Sequence, residues 1–294
     1  MVVDILERNK NIEMFMYAYM YELEKYLNNV KEELKAITFQ SDEANTDRPL
    51  KEFLKDVIEN KLKNIPDGKS YCVYIDDNEK YCCKEFENIK VVRALLPETL
   101  TDDLKNDIKV DKNGVYTNPD IYLEISDGET VFHKSIELKS TKNDSIPGSS
   151  VQQIDPEEWV VFIKHTNDNV EVTTGKYICA INSKMQFPDR SPRPQVSFNE
   201  LKKWNSTYRI FENNDLKYIR DEEENSKSEL IKDWQLYLSN KWIETLFSNE
   251  IKINEPWFNN NLRKFIILFL DKYEQLLPEE KAIFKRQVKK LIVE

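Results

Sequence analysis

Two strand patterns joined by a short turn, Ile121 to Leu138, constrain this chain more than any other stretch. Ile121, Leu123 and Ile125 alternate with Tyr122 and Glu124, Ser126-Asp127-Gly128-Glu129 supplies a tight turn, and Val131 to Leu138 is again β-branched and aromatic. The spacing predicts a β-hairpin. Residues two apart in a strand share a face, so Glu137 and Lys139 point the same way, with Asp120 at the open end of the partner strand. Three charged groups then converge at one rim.

The rest of the chain divides around this hairpin. Ile5, Ile12, Met16, Tyr19, Leu23 and Leu27 give the period of an amphipathic helix over Val3 to Ile37. Pro49 opens a second helix, Leu50 to Leu62, with Phe53, Leu54, Val57, Ile58 and Leu62 on its apolar face. Strands are predicted at Tyr71 to Ile75, Ile89 to Leu95, Trp159 to Lys164 and Tyr177 to Ile181. A proline-rich loop follows Phe187. Beyond it, Phe198 to Trp204, Ser228 to Phe247, Pro256 to Leu277 and Pro278 to Val293 read as helices. The expected fold is α/β (α+β), a central mixed sheet flanked by helices, divided into an N-terminal helical arm (1–47), the core (48–187) and a C-terminal helical region (188–294).

Composition removes several functional classes. With 294 residues, 40% of them hydrophobic, the chain can bury one large core or two modest ones. Lys264 and Asp271 cut off the apolar run Phe265 to Leu270, and the first residues lack a basic-then-apolar signal pattern, so the expectation is a cytoplasmic protein with no membrane partner. Cys72, Cys82, Cys83 and Cys179 contain no Cys-x-x-Cys pair, and only His133 and His165 could assist them. Reduced, packed thiols are expected rather than a zinc site or disulfide framework. The five glycines are too scattered for a phosphate-cradling loop, which argues against Walker-type and dinucleotide-binding readings. Net charge is −10, yet residues 131–210 hold eleven Lys or Arg against nine Asp or Glu. That segment carries +2 and the remainder −12, so the basic surplus lies where a nucleic-acid path through the hairpin region needs it.

As letters, the rim charges are cheap. The chain contains ten Asp/Glu-x-Lys triplets and three Pro-Asp steps. Asp189 even has Glu200-Leu201-Lys202 eleven residues on, but one lies among prolines and the other in a helical pattern. Only Pro119-Asp120 and Glu137-Leu138-Lys139 come on adjacent strands joined by a turn.

On these residues the chain resembles the PD-(D/E)xK nuclease superfamily, and within it the type II restriction endonucleases. The order helix, strand, hairpin, helix, strand from about Arg48 to Ile181 is similar to that family's core. The resemblance implies a restriction-endonuclease-like fold and a Mg²⁺-dependent, sequence-specific endodeoxyribonuclease. Its substrate would be double-stranded DNA, its products 5′-phosphate and 3′-hydroxyl ends. By position, Asp120, Glu137 and the main-chain carbonyl of Leu138 would bind Mg²⁺, and Lys139 would hold or help activate the attacking water. Family members often add an acidic residue from the preceding helix; Glu52, or else Glu59, is the candidate, each also readable as a solvated helix charge. A homodimer and a restriction-modification system with a cognate DNA methyltransferase are further implications. Two other readings stay open: a structure-specific nuclease of the same superfamily (repair, resolvase or transposon-end type), and a non-catalytic DNA-binding or interaction module.

Two polar segments are candidate DNA contacts. The first follows Lys139 and offers Lys142, Asn143, Ser145, Ser149, Ser150, Gln152 and Gln153, side chains that donate to phosphate and read adenine edges. The second carries Lys184, Arg190 and Arg193, and arginine can grip guanine with two bonds. The plain reading of each is a solvated loop. His165 is read as a satisfied strand-edge residue or a DNA contact.

Overall fold

The computed structural model describes residues 2–37, 48–66, 72–75, 79–82, 86–105, 119–148, 155–166, 169–186, 193–213, 215–219, 234–247 and 258–292. Its centre is a five-stranded sheet in the order β3 (Lys90–Leu95), β4 (Ile121–Ser126), β5 (Val131–Thr141), β7 (Trp159–His165) and β8 (Val170–Lys176). Neighbours are antiparallel except β5 and β7, which run parallel, so the sheet is mixed. A parallel pair cannot be closed by a tight turn, and the crossover between them starts with β6 (Ser145–Pro147).

The side chains on the two faces of this sheet meet different partners. On one, α1 (Val2–Asn29) buries Ile12, Phe15, Met16, Tyr19, Met20, Leu23 and Leu27 against Leu123, Ile125, Ile136, Leu138 and Val161. The expected helical arm is therefore part of the core: its apolar stripe is the largest surface available to cover the sheet. The helix stops at Asn29, short of the predicted Ile37, and a separate α2 (Lys31–Ala36) follows a break at Val30. Next comes α3 (Arg48–Asp56), continued by a π turn, Val57–Lys61, and the predicted apolar residues Leu54, Val57, Ile58 and Leu62 are buried with Leu50.

Helix α1 also covers a sheet edge. Asn28 donates to the Val172 carbonyl (2.8 Å) and accepts from its amide (3.1 Å), while Glu24 accepts from the Thr174 amide at 2.7 Å. An edge strand left with open backbone groups invites pairing with another chain, and these side chains occupy them.

On the other face lie Val160, Phe162, Tyr177, Ala180, Val196, Phe198 and Leu201. They come from β7, a short α4 (Tyr177–Ala180), β10 (Arg193–Ser197) and α5 (Phe198–Tyr208), the last capped by Ser197, which accepts from the Glu200 amide at 3.2 Å. Helix α5 sits so close to β8 that a Cβ added at Gly175 would fall 2.6 Å from Leu201 Cδ1.

Several expectations need correction. Tyr177 to Ile181, expected as a strand, is α4 followed by β9 (Ile181–Gln186); β8, just before it, already forms the sheet edge. The expected boundary at 187/188 divides two strands that pair, β9 and β10. Beyond it, β11 (Arg209–Glu212) and β12 (Asp215–Tyr218) join β1 (Cys72–Ile75) and β2 (Glu79–Cys82) in a second sheet, with β12 parallel to β1. These long-range pairings leave no local periodic trace. Cys72 is disulfide-bonded, and strand pairing places it opposite Cys82; rules for locally spaced cysteines do not see such a proximity. Cys179 is free.

Further along the chain lie the helices α6 (Trp234–Phe247), α7 (Asn260–Glu274) and α8 (Pro278–Lys289). Among the described residues no helix is long and apolar enough to cross a membrane.

Candidate active site

The hairpin forms as its sequence requires. Asp127 Oδ1 accepts from the Glu129 and Thr130 amides at 2.9 and 2.7 Å, and Gly128 takes a positive φ of 95° that a residue with a Cβ resists. Ile121 pairs with Ile136, so Asp120 sits just outside β4 beside the segment Glu137-Leu138-Lys139. The Leu138 amide donates to Asp120 Oδ2 at 2.7 Å and ties the two halves of the motif together. Glu137 is buried, and Lys139 reaches its Oε1 at 2.5 Å.

A fourth charge completes the cluster. Lys51 of α3 places its Nζ 2.6 Å from Asp120 Oδ1. Two carboxylates and two ammonium groups thus meet at the rim as the pairs Lys51–Asp120 and Lys139–Glu137. Burial alone would push the Lys139 pKa down; the Glu137 carboxylate, Tyr177 and Asp120 outweigh it and hold the group above the ordinary lysine range. Lys139 is an ammonium at neutral pH, and its Nζ stands 5.9 Å from the centre of the buried Tyr177 ring.

The acidic residue expected from the preceding helix does not reach this rim. Glu52 is exposed and accepts from Arg48 Nε at 2.9 Å. Glu59 accepts from the Ala94 amide of β3 at 2.9 Å. The π turn supplies the reason: the Leu62 amide bonds the Val57 carbonyl five residues back, and one residue more than in an α turn is taken up. Glu59 and the Lys63 carbonyl, which accepts from the Val91 amide at 2.8 Å, anchor the downstream end to β3. The register upstream is therefore displaced by one residue from that of an unbroken α-helix, and Lys51 takes the place assigned to Glu52. Sequence reading also passed over Tyr177, because its strand assignment hid it.

The two predicted polar segments are brought together. Ser145 of β6 pairs with Ser197 of β10, and Arg193 of β10 pairs with Gln186 of β9, the strand that carries Lys184. Lys142 and Asn143 are exposed immediately after β5, where the Asn143 amide donates to Thr141 Oγ1 at 2.9 Å. Ser149, Ser150, Gln152, Gln153 and Arg190 lie outside the described residues. His165 is buried with its Nε2 3.0 Å from Ser140 Oγ, and burial followed by the nearby Lys142 charge lowers its pKa to about 4. It is a neutral, partnered residue at neutral pH.

Among the described residues no three His, Cys, Asp or Glu side chains group together for a metal. Asp120 and Glu137 are two hard oxygen donors that each already face a cationic group at 2.5 to 2.6 Å. This donor set fits a small dication that keeps several waters, and not a metal needing a full cage of side chains. No protein-family model matches the chain, and no curated protein sequence matches it.

Proposed function

We propose that the protein is a Mg²⁺-dependent endodeoxyribonuclease that cuts double-stranded DNA at a specific sequence, a type II restriction endonuclease. The observation that carries this reading is the bond from the Leu138 amide to Asp120, which joins Asp120, Glu137 and Lys139 into one rim on adjoining strands. Asp120 and Glu137 would hold Mg²⁺, with the Leu138 carbonyl as a further oxygen donor. When bound, the metal supplies a water of lowered pKa and offsets negative charge on the phosphoryl transition state.

The chain's own residues do the rest. Lys139 is charged, so it cannot accept a proton from water; it orients the attacking oxygen and adds positive field where negative charge develops. Lys51 holds Asp120 in place and brings a second ammonium to the path of the phosphodiester. Lys142, Asn143 and Ser145 follow β5 directly, and β10 and β9, which carry Arg193 and Lys184, pair in turn onto β6, a placement suited to backbone and base contacts. In the cell the reading implies a genetic partnership with a DNA methyltransferase.

Digestion of a sequenced plasmid with Mg²⁺, with mapping of the ends, tests it. Discrete fragments ending in 5′-phosphate and 3′-hydroxyl support the reading. Cleavage confined to branched or mismatched DNA replaces it with a structure-specific nuclease, and no cleavage with any divalent metal overturns it.

A further inference from the structure

Helices α7 and α8 are joined by three residues, 275–277, and fold back on each other: Phe284 of α8 packs its ring centre 6.1 Å from Phe269 and 6.3 Å from Tyr273 of α7. One partner helix cannot cover this surface. Phe265 to Leu270 are six consecutive apolar residues, which in a helix of 3.6 residues per turn go all the way round. Phe265, Ile267, Leu268 and Leu270 accordingly stay 46 to 67% exposed, and α8 and the residues after it add Ile283, Val288, Leu291 and Ile292. Eleven large apolar side chains between Phe265 and Ile292 are more than a third exposed, enough to supply the roughly 800 Å² per partner of a standard interface.

Charge identifies the occupant. Around the turn, residues 271–281 carry Asp271, Glu274, Glu279 and Glu280 against Lys272 and Lys281, a net of −2. The opposite end carries Arg263, Lys264, Lys285, Arg286, Lys289 and Lys290 with no acidic residue from 260 to 270 or 282 to 292, a net of +6. A second hairpin laid alongside in the same direction would set the six positive charges against their own copies. Laid head to tail, it sets the turn of each copy against the open end of the other, and a two-fold axis makes both contacts at once. We infer that this hairpin is a homodimerisation module in which two copies pack head to tail as a four-helix bundle.

Sedimentation of the full chain tests the inference without recourse to DNA cleavage. At about 20 μM the wild type is expected at twice the 35.0 kDa chain mass. The double variant Phe265→Glu, Leu268→Glu is expected at the single-chain mass with an unchanged circular dichroism spectrum, since both side chains are already more than half exposed. Charge reversal adds a second arm. Glu279→Lys with Glu280→Lys, and Lys289→Glu with Lys290→Glu, should each weaken the dimer at least about tenfold, and all four together should restore it. A monomeric wild type overturns the inference and leaves the face to a different partner; a dimer indifferent to Phe265→Glu, Leu268→Glu, or swaps that fail to rescue each other, overturns the head-to-tail docking.

Discussion

Lys51 places its ammonium 2.6 Å from Asp120 Oδ1, while the Leu138 amide donates to the other carboxylate oxygen, Oδ2. A cation in this position does part of what a metal ion does: it neutralises the carboxylate and holds it beside Glu137. On the proposed function it would also compete with Mg²⁺ for the same oxygen. Lys51→Met is therefore expected to bind Mn²⁺ about fivefold more tightly than the wild type in calorimetry, in keeping with roughly 1 kcal/mol for a partly exposed ion pair. Equal affinity in the two proteins would refute competition at Asp120, whereas absence of metal binding in both would refute the metal site itself.

Asp120→Asn keeps an oxygen for the Leu138 amide but removes the charge, so folding should survive. Cleavage should fall by a factor on the order of 10³ or more, and so should that of Glu137→Gln, while sequence-specific binding measured in Ca²⁺ persists. Wild-type cleavage rates in either variant are the contrary outcome.

Lys139 is held above the ordinary lysine range in the folded protein. Its contribution to stability is thus complete below its ordinary value of 10.5 and is lost only as pH rises through the higher folded value. A cleavage profile from pH 7 to about 10 should show no falling limb from this group. A limb near pH 8 that disappears in Lys139→Arg contradicts the assignment. Lys139→Met leaves Glu137 buried beside an apolar chain, with an expected loss of about 3 kcal/mol in urea unfolding.

His165 behaves in the opposite sense. Its folded pKa of about 4 lies below the ordinary 6.5, so the unfolded chain takes up the proton first as pH falls. Stability from this residue is present above about 6.5 and is lost between there and about 4. The gap in urea midpoint between wild type and His165→Asn should narrow over that window. A constant gap from pH 7 to 4 counts against a neutral, buried His165.

Local pattern carried much of this molecule. Alternation in Ile121 to Ile125 and Val131 to Leu138, a turn containing Gly128, and the apolar stripe from Ile12 to Leu27 were sufficient to place the hairpin and α1, because strand and helix periods are set by backbone geometry alone. They also placed Glu137 and Lys139 on one face with Asp120 near them. What α1 covers is a different matter: a stripe states only that something must lie against it, and packing decided that this is the central sheet and its β8 edge. The pairing of β10 with β6 and β9, which unites two polar segments some forty residues apart in sequence, is likewise a product of chain folding. So is the substitution of Lys51 for Glu52 at the rim. A helix period predicts which residues share a face, but a π turn adds one residue to the count, and only anchoring of that turn to β3 selects the side chain that meets Asp120.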